Sequence, residues 1–152
     1  MQHKIVRIML AVLEVLIGLL AVGGSVAILM GVMDQWLPVA WLQGTPFTGY
    51  TIPALILLIV IGGGMLLAAA TIFVQREWAV LISAAMGLVM VGFEIVEALI
   101  IDRYVVGEAL VPTIGQQALY FVLGLVILGL AAYLWLREYR GRHIAGRHAV
   151  SG

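Results

Sequence analysis

The sequence has no cysteine, only three histidines and little charge, with 8 basic and 8 acidic side chains in 152 residues. Without cysteine there is no disulfide, no thiolate metal site and no thiol relay of the kind quinone-linked four-helix redox proteins use. His3, His143 and His148 lie near the chain ends outside the apolar runs, so no pair of imidazoles can clamp a haem inside a bilayer. No cofactor and no metal are expected. The charges cancel to a formal net charge of +0, which leaves no basic field for nucleic acid. Charged residues make up 11% of the chain and hydrophobic residues 64%, whereas soluble domains carry about 25% charged residues. Such a chain belongs in a membrane.

A hydrocarbon core of about 30 Å needs about 20 apolar residues of helix. Four runs meet that length, at about 6–33, 52–74, 78–101 and 115–136. The first follows Lys4 and Arg7, but its apolar stretch exceeds the roughly 7–15 residues of a secretory signal and contains Glu14, so it reads as a retained helix. The expected fold is all-α, an integral membrane four-helix bundle over 1–136 with a basic cytoplasmic tail at 137–152. Lys4, Arg7, Arg76, Arg137, Arg140, Arg142 and Arg147 fall on one side and Arg103 alone on the other. Cytoplasmic loops retain positive charge, so both termini are expected inside, in the cytoplasmic (inner) membrane. An even number of spans agrees. Arg137, Arg140, Arg142 and Arg147 also suit anionic lipid headgroups, at about 1 kcal/mol per charge.

Gln75-Arg76-Glu77 is so short a link that the second and third spans must be antiparallel neighbours. The first outer loop, roughly Asp34 to Thr51, is long and carries Trp36, Trp41, Phe47 and Tyr50. Aromatics of this kind settle at the headgroup level, so the loop is expected to lie on the membrane and cap the bundle. The chain has 18 glycines, and small residues let helix backbones approach in lipid. Gly62-Gly63-Gly64 has no following lysine and is no phosphate loop; close packing, or a bent second span, is its expected role. Gly87 and Gly124 offer faces for this chain itself or for another membrane protein. No repeat of the whole chain is evident, although the two hairpins can descend from a duplication the residues no longer display.

Ionisable side chains within a bilayer cost several kcal/mol and each needs a reason. At a rise of about 1.5 Å per residue, Glu94 lies about 24 Å and Glu97 about 28 Å along the third span, both in its outer half and on one helix face. The fourth span runs inward, so Gln116, Gln117 and Tyr120 share that level. With Tyr50 and Thr48 from the loop, they can line an outward-opening polar pocket under an aromatic lid; the alternative is a hydrogen-bond cluster that joins the third and fourth helices. Glu14 lies at the opposite depth, about 12 Å in from the cytoplasmic end, where Thr71, Ser83 and Tyr133 can reach it. A structural hydrogen-bond role is favoured there over a proton or substrate path, because the residues between the two levels are almost all apolar.

Two resemblances follow from particular segments. Leu13-Glu14-Val15-Leu16-Ile17-Gly18 resembles the glutamate-bearing first helix of small multidrug-resistance transporters, which implies a proton- and cation-binding role for Glu14. Thr45-Pro46-Phe47-Thr48-Gly49-Tyr50-Thr51-Ile52-Pro53 before Gly62-Gly63, Glu97 at the end of the third span, and Gln117-Ala118-Leu119-Tyr120-Phe121-Val122-Leu123-Gly124 together resemble a widespread group of small uncharacterised bacterial four-helix membrane proteins. That resemblance implies a fold and a membrane location, and no activity. The expected function is binding of a small amphipathic or lipid-like molecule in the outer pocket. An accessory or scaffold subunit is the first alternative. A proton-coupled transporter, or an isomerase-like membrane enzyme that uses Glu94 and Glu97 as acid and base, is the other.

Overall fold

The computed structural model describes residues 2–43, 45–74, 76–101 and 110–139, which are helices joined by turns and loop, with no strand among them. Four helices carry the fold: α1 (Gln2–Leu29), α2 (Thr51–Val74), α3 (Glu77–Ile101) and α4 (Leu110–Glu138). Each contains a stretch long and apolar enough to cross a membrane. The four-helix reading of the sequence holds at this level. The loop residues 102–109 and the tail from Arg140, with Arg142 and Arg147, lie outside the described residues.

α1 ends four residues earlier than the apolar run suggested. Gly31 adopts φ +75, a left-handed conformation that side-chain-bearing residues adopt only with strain. It lets the Gly31 N–H bond the Ile28 carbonyl at 3.0 Å and the Val32 N–H bond the Ala27 carbonyl at 3.0 Å, so two of the last carbonyls of the helix are satisfied. Residues 30–33, though apolar, form the turn out of the helix.

α2 is not uniform. It starts as α-helix over Thr51–Ile56, with Pro53 in the first turn where a missing N–H costs nothing. It widens to a π-helix over Leu57–Gly63, returns to α-helix over Gly64–Thr71, and closes as a 3-10 turn over Ile72–Val74. Close packing holds for the glycine triplet, and the helix is irregular as it reaches it. The wide turns run into Gly62-Gly63, and Gly62 is also buried at a helix contact.

The helices pack as a ring in which α1 touches α2, α2 touches α3, α3 touches α4 and α4 touches α1, while the diagonal pairs α1/α3 and α2/α4 do not pack. Two glycine knuckles set the closest approaches. A Cβ on Gly62 of α2 would sit 2.9 Å from Val22 Cγ2 and 3.5 Å from the Gly18 carbonyl of α1. A Cβ on Gly124 of α4 would sit 2.9 Å from Val91 Cγ2 and 3.2 Å from the Gly87 carbonyl of α3. Backbone-to-backbone contact of this kind replaces hydrophobic burial as the means of association where the surroundings are themselves apolar.

Burial is inverted relative to a soluble protein. Leu19, Leu20, Ile59, Leu67, Leu88 and Leu119 are exposed on the outside, while Arg7, Glu14, Ser25, Ser83 and Glu94 are buried among Leu10, Ile17, Met65, Ile127 and Leu134. An apolar solvent removes the reason to hide leucine and adds a reason to hide every polar group.

Candidate functional site

One end of the bundle carries the 34–50 loop. Its 3-10 turn, Val39–Leu42, packs against α3. The loop is held locally by the Thr45 hydroxyl, which donates to the Leu42 carbonyl at 2.7 Å and accepts the Phe47 N–H at 3.2 Å. The Tyr50 hydroxyl donates to the Pro38 carbonyl at 3.0 Å and draws the two ends of the loop together. A cavity of about 290 Å³ is lined by Ile28, Asp34, Leu37, Val39, Tyr50 and Thr51.

Tyr50 connects this cavity to the acids of α3. Burial, and then the neighbouring Glu97 carboxylate, push its hydroxyl above the ordinary tyrosine value. Glu97 is half-buried, lies close enough to Glu94 for the two carboxyls to interact, and has the Gln117 side chain of α4 beside it. Gln117 Nε2 is nevertheless buried with no hydrogen-bond partner within 3.5 Å. Glu94 itself is buried, with 7% exposure. Four of the expected pocket residues, Tyr50, Glu94, Glu97 and Gln117, thus come to one end of the bundle. Tyr120 packs half-buried against the apolar core, and Gln116 is exposed on the outside of α4. Gln116 and Gln117 are 100° apart around a helix, so only one of the two can face inward.

Toward the other end, Glu14 is fully buried and neither carboxyl oxygen has a hydrogen-bond partner. Ser83 reaches it from α3 across the ring, although the Ser83 hydroxyl also points to the Ala79 carbonyl at 3.5 Å. Thr71 spends its hydroxyl on the Leu67 and Ala68 carbonyls of its own helix at 3.0 and 3.1 Å. Tyr133 lies under the Arg137 guanidinium, 5.7 Å from the ring centre. Of the residues expected around Glu14, Ser83 interacts with it without a hydrogen bond to either carboxyl oxygen. Arg137 itself is exposed, as a lipid contact requires.

Arg7 is a member of the interior that sequence reading treated only as a topology marker. Its guanidinium is buried, with hydrogen bonds to the Ile72 carbonyl at the end of α2, to Glu138 and, at 3.3 Å, to the Tyr139 hydroxyl. His3 Nδ1 stands 3.7 Å from Glu138 as well. The signal was present: Arg7 precedes Glu14 by seven residues, two turns of helix, and so shares its inward face. Ser25 was also passed over, although it too is fully buried. Among the described residues, no three acidic or imidazole side chains converge as a metal-binding group.

Chemically, this end of the bundle offers a carboxyl pair, an unpaired amide N–H and a phenol, and of these groups the Tyr50 phenol is the one that lines the cavity. Comparison of the chain with protein-family models, with curated proteins and with solved structures finds no match in any of the three.

Proposed function

We propose that the protein is an integral protein of the cytoplasmic membrane, both termini inside, whose outward-facing polar site binds a small amphipathic or lipid-like molecule. The polar head rests among Glu94, Glu97, Gln117 and Tyr50, and the loop closes over it. The observation that carries this reading is the convergence of Tyr50 from the loop, Glu97 from α3 and Gln117 from α4, with a buried amide nitrogen left unpartnered. A buried donor without a partner costs about 1–3 kcal/mol, a penalty that a ligand acceptor removes. The cavity of about 290 Å³ beside Tyr50 is at the small end of ligand sites, which span about 300–1,000 Å³, so the occupant is a head group or a small molecule and not a large substrate. Binding without turnover is the function favoured, since among the described residues the site presents no preorganised set of donors for a developing oxyanion.

Native mass spectrometry of the purified protein in a gentle detergent, wild type against a Glu94→Gln, Glu97→Gln double variant, tests this. A discrete small molecule retained by the wild type and lost by the variant is the expected result. A clean apo mass for both, or a second protein carried through purification, overturns it in favour of an accessory subunit. Any such docking falls to Gly23, Gly63, Gly92 or Gly129, on whose open faces a Cβ would meet no other helix, because Gly87 and Gly124 are already used against each other.

A further inference from the structure

The two glycine knuckles are the same contact made twice. On α1 and α3 the pattern is Gly-x-x-x-Val, and on α2 and α4 a single glycine enters it: Gly62 against Gly18 and Val22, Gly124 against Gly87 and Val91. These contacts fix a register without reference to sequence similarity, in which Gly18 corresponds to Gly87 and Gly62 to Gly124. The residues then agree. Gly18-Leu19-x-x-Val22-Gly23 aligns with Gly87-Leu88-x-x-Val91-Gly92, and Arg7 aligns with Arg76. In the second register Thr51-Ile52 aligns with Thr113-Ile114, Leu66 with Leu128 and Ala69-Ala70 with Ala131-Ala132. Burial agrees at the apolar positions Leu10, Ala11 and Ala21 and their counterparts Ala79, Val80 and Met90, and departs at Arg7, buried, against Arg76, exposed.

The polar interior follows the same rule with an exchange. Glu14 corresponds to Ser83, and Ser25 corresponds to Glu94; all four are buried. α1 and α3 run in the same direction and stand diagonally across the ring, so the operation that relates them is a two-fold axis along the bundle. Each pair maps onto itself under that axis. Ser83 acts on the Glu14 carboxyl across it, with no hydrogen bond within 3.5 Å between them. Glu14 and Ser25 are eleven residues apart, about 16 Å along the helix and within about 20° of the same face. The face that carries Glu14 to the axis therefore carries Ser25 to it as well.

We propose that the chain is a tandem duplication of a two-helix unit, α1–α2 and α3–α4, and that its two buried carboxyls are one carboxyl–hydroxyl site written twice with the partners exchanged, so that Ser25 is a further binding residue of the loop-end site, opposite Glu94. This rests on the ligand-binding reading of that site and deepens it. A carboxyl and a hydroxyl facing each other select a head group that both donates and accepts a hydrogen bond. The Ser25 hydroxyl donates to the Ala21 carbonyl of its own helix, which leaves its oxygen lone pairs open to such a donor. Ser83 and Glu14 hold the equivalent position nearer the termini, two helical turns from Arg7.

Ser25→Ala, Ser25→Thr and Ser83→Ala variants, with Glu14→Gln and Glu94→Gln to assign the signals, test the pairing by infrared difference spectroscopy of the carboxyl stretches in detergent. Ser25→Ala is expected to shift the Glu94 band and leave the Glu14 band in place. Ser83→Ala does the reverse, and Ser25→Thr restores the Glu94 band. A Glu94 band unmoved by Ser25→Ala, or both bands moved by either serine, overturns the proposal. In native mass spectrometry the same Ser25→Ala variant is expected to retain the co-purified molecule about tenfold less, while Ser83→Ala retains it fully. Absence of any molecule from the wild type defeats the binding function but leaves the band shifts to decide the pairing. Crossed band shifts that fail while the ligand is kept defeat the duplicated site alone.

Discussion

Replacement of Gly87 by alanine tests the knuckle between α3 and α4. The added Cβ would stand 2.8 Å from the Leu128 backbone nitrogen and 2.9 Å from the Gly124 carbonyl oxygen. Neither is the end of a side chain, so no rotamer change relieves the clash and the helices must part. To bring the nearer contact to 3.4 Å, the lower edge of ordinary van der Waals contact, requires a shift of 3.4 − 2.8, or about 0.6 Å. A gap of 0.5–1 Å forfeits about a quarter to a half of the dispersion energy across a contact. α3 and α4 form one of the two close pairs in the ring. The expected cost is about 1–3 kcal/mol, as for other overpacked sites. Gly92, five residues further along α3, is the control: a Cβ there meets nothing within 4 Å. Gly92→Ala should therefore be neutral or gain up to about 1 kcal/mol from helix propensity. Gly64→Ala falls between, because its Cβ meets only the flexible side chain of Met86. Reversible unfolding in mixed micelles, followed by circular dichroism, gives the three midpoints. Equal midpoints for Gly87→Ala and Gly92→Ala would refute the close approach and the register built on it.

Other outcomes are expected at the two ends. Glu138→Gln leaves the buried Arg7 guanidinium short of its counter-charge and should cost about 2–3 kcal/mol, below the range for fully buried pairs because Glu138 keeps 21% of its side chain exposed; Arg7→Met combined with Glu138→Met should recover most of the loss in the same unfolding assay. Tyr50→Phe removes the hydrogen bond to the Pro38 carbonyl, and hydrogen exchange at residues 38–50 should rise by the factor of about 5 that corresponds to about 1 kcal/mol. Tyr50 itself should ionise above the ordinary tyrosine value of about 10, seen as the phenolate absorbance lost in Tyr50→Phe. Its folded value is raised, so the unfolded chain releases the proton first; the contribution is whole below pH about 10 and is lost as pH rises from there through the folded value.

The number of helices was legible in the sequence because lipid imposes it: a bilayer demands about 20 apolar residues per crossing, and composition alone supplies four such runs. The chemistry of the buried polar residues was legible for the same reason, since Glu14, Glu94 and Glu97 stand out against an apolar background. The end of α1 was readable in principle from Gly31 but was hidden by the apolar residues 30–33, because hydropathy does not distinguish a helix from a turn of the same composition.

Direction and partner were not legible. Gln116 and Gln117 are chemically identical in sequence, and only the rotation of α4 against α3 turns one inward and the other out. Arg7 reads as a charge at a membrane edge until α2 and α4 bring the Ile72 carbonyl, Glu138 and Tyr139 to it. The duplication, too, is a property of contacts before it is one of letters. In lipid most positions tolerate any apolar residue, so sequence similarity drifts. A position where two helices approach closely favours glycine, and it is those positions, Gly18, Gly62, Gly87 and Gly124, that keep the register.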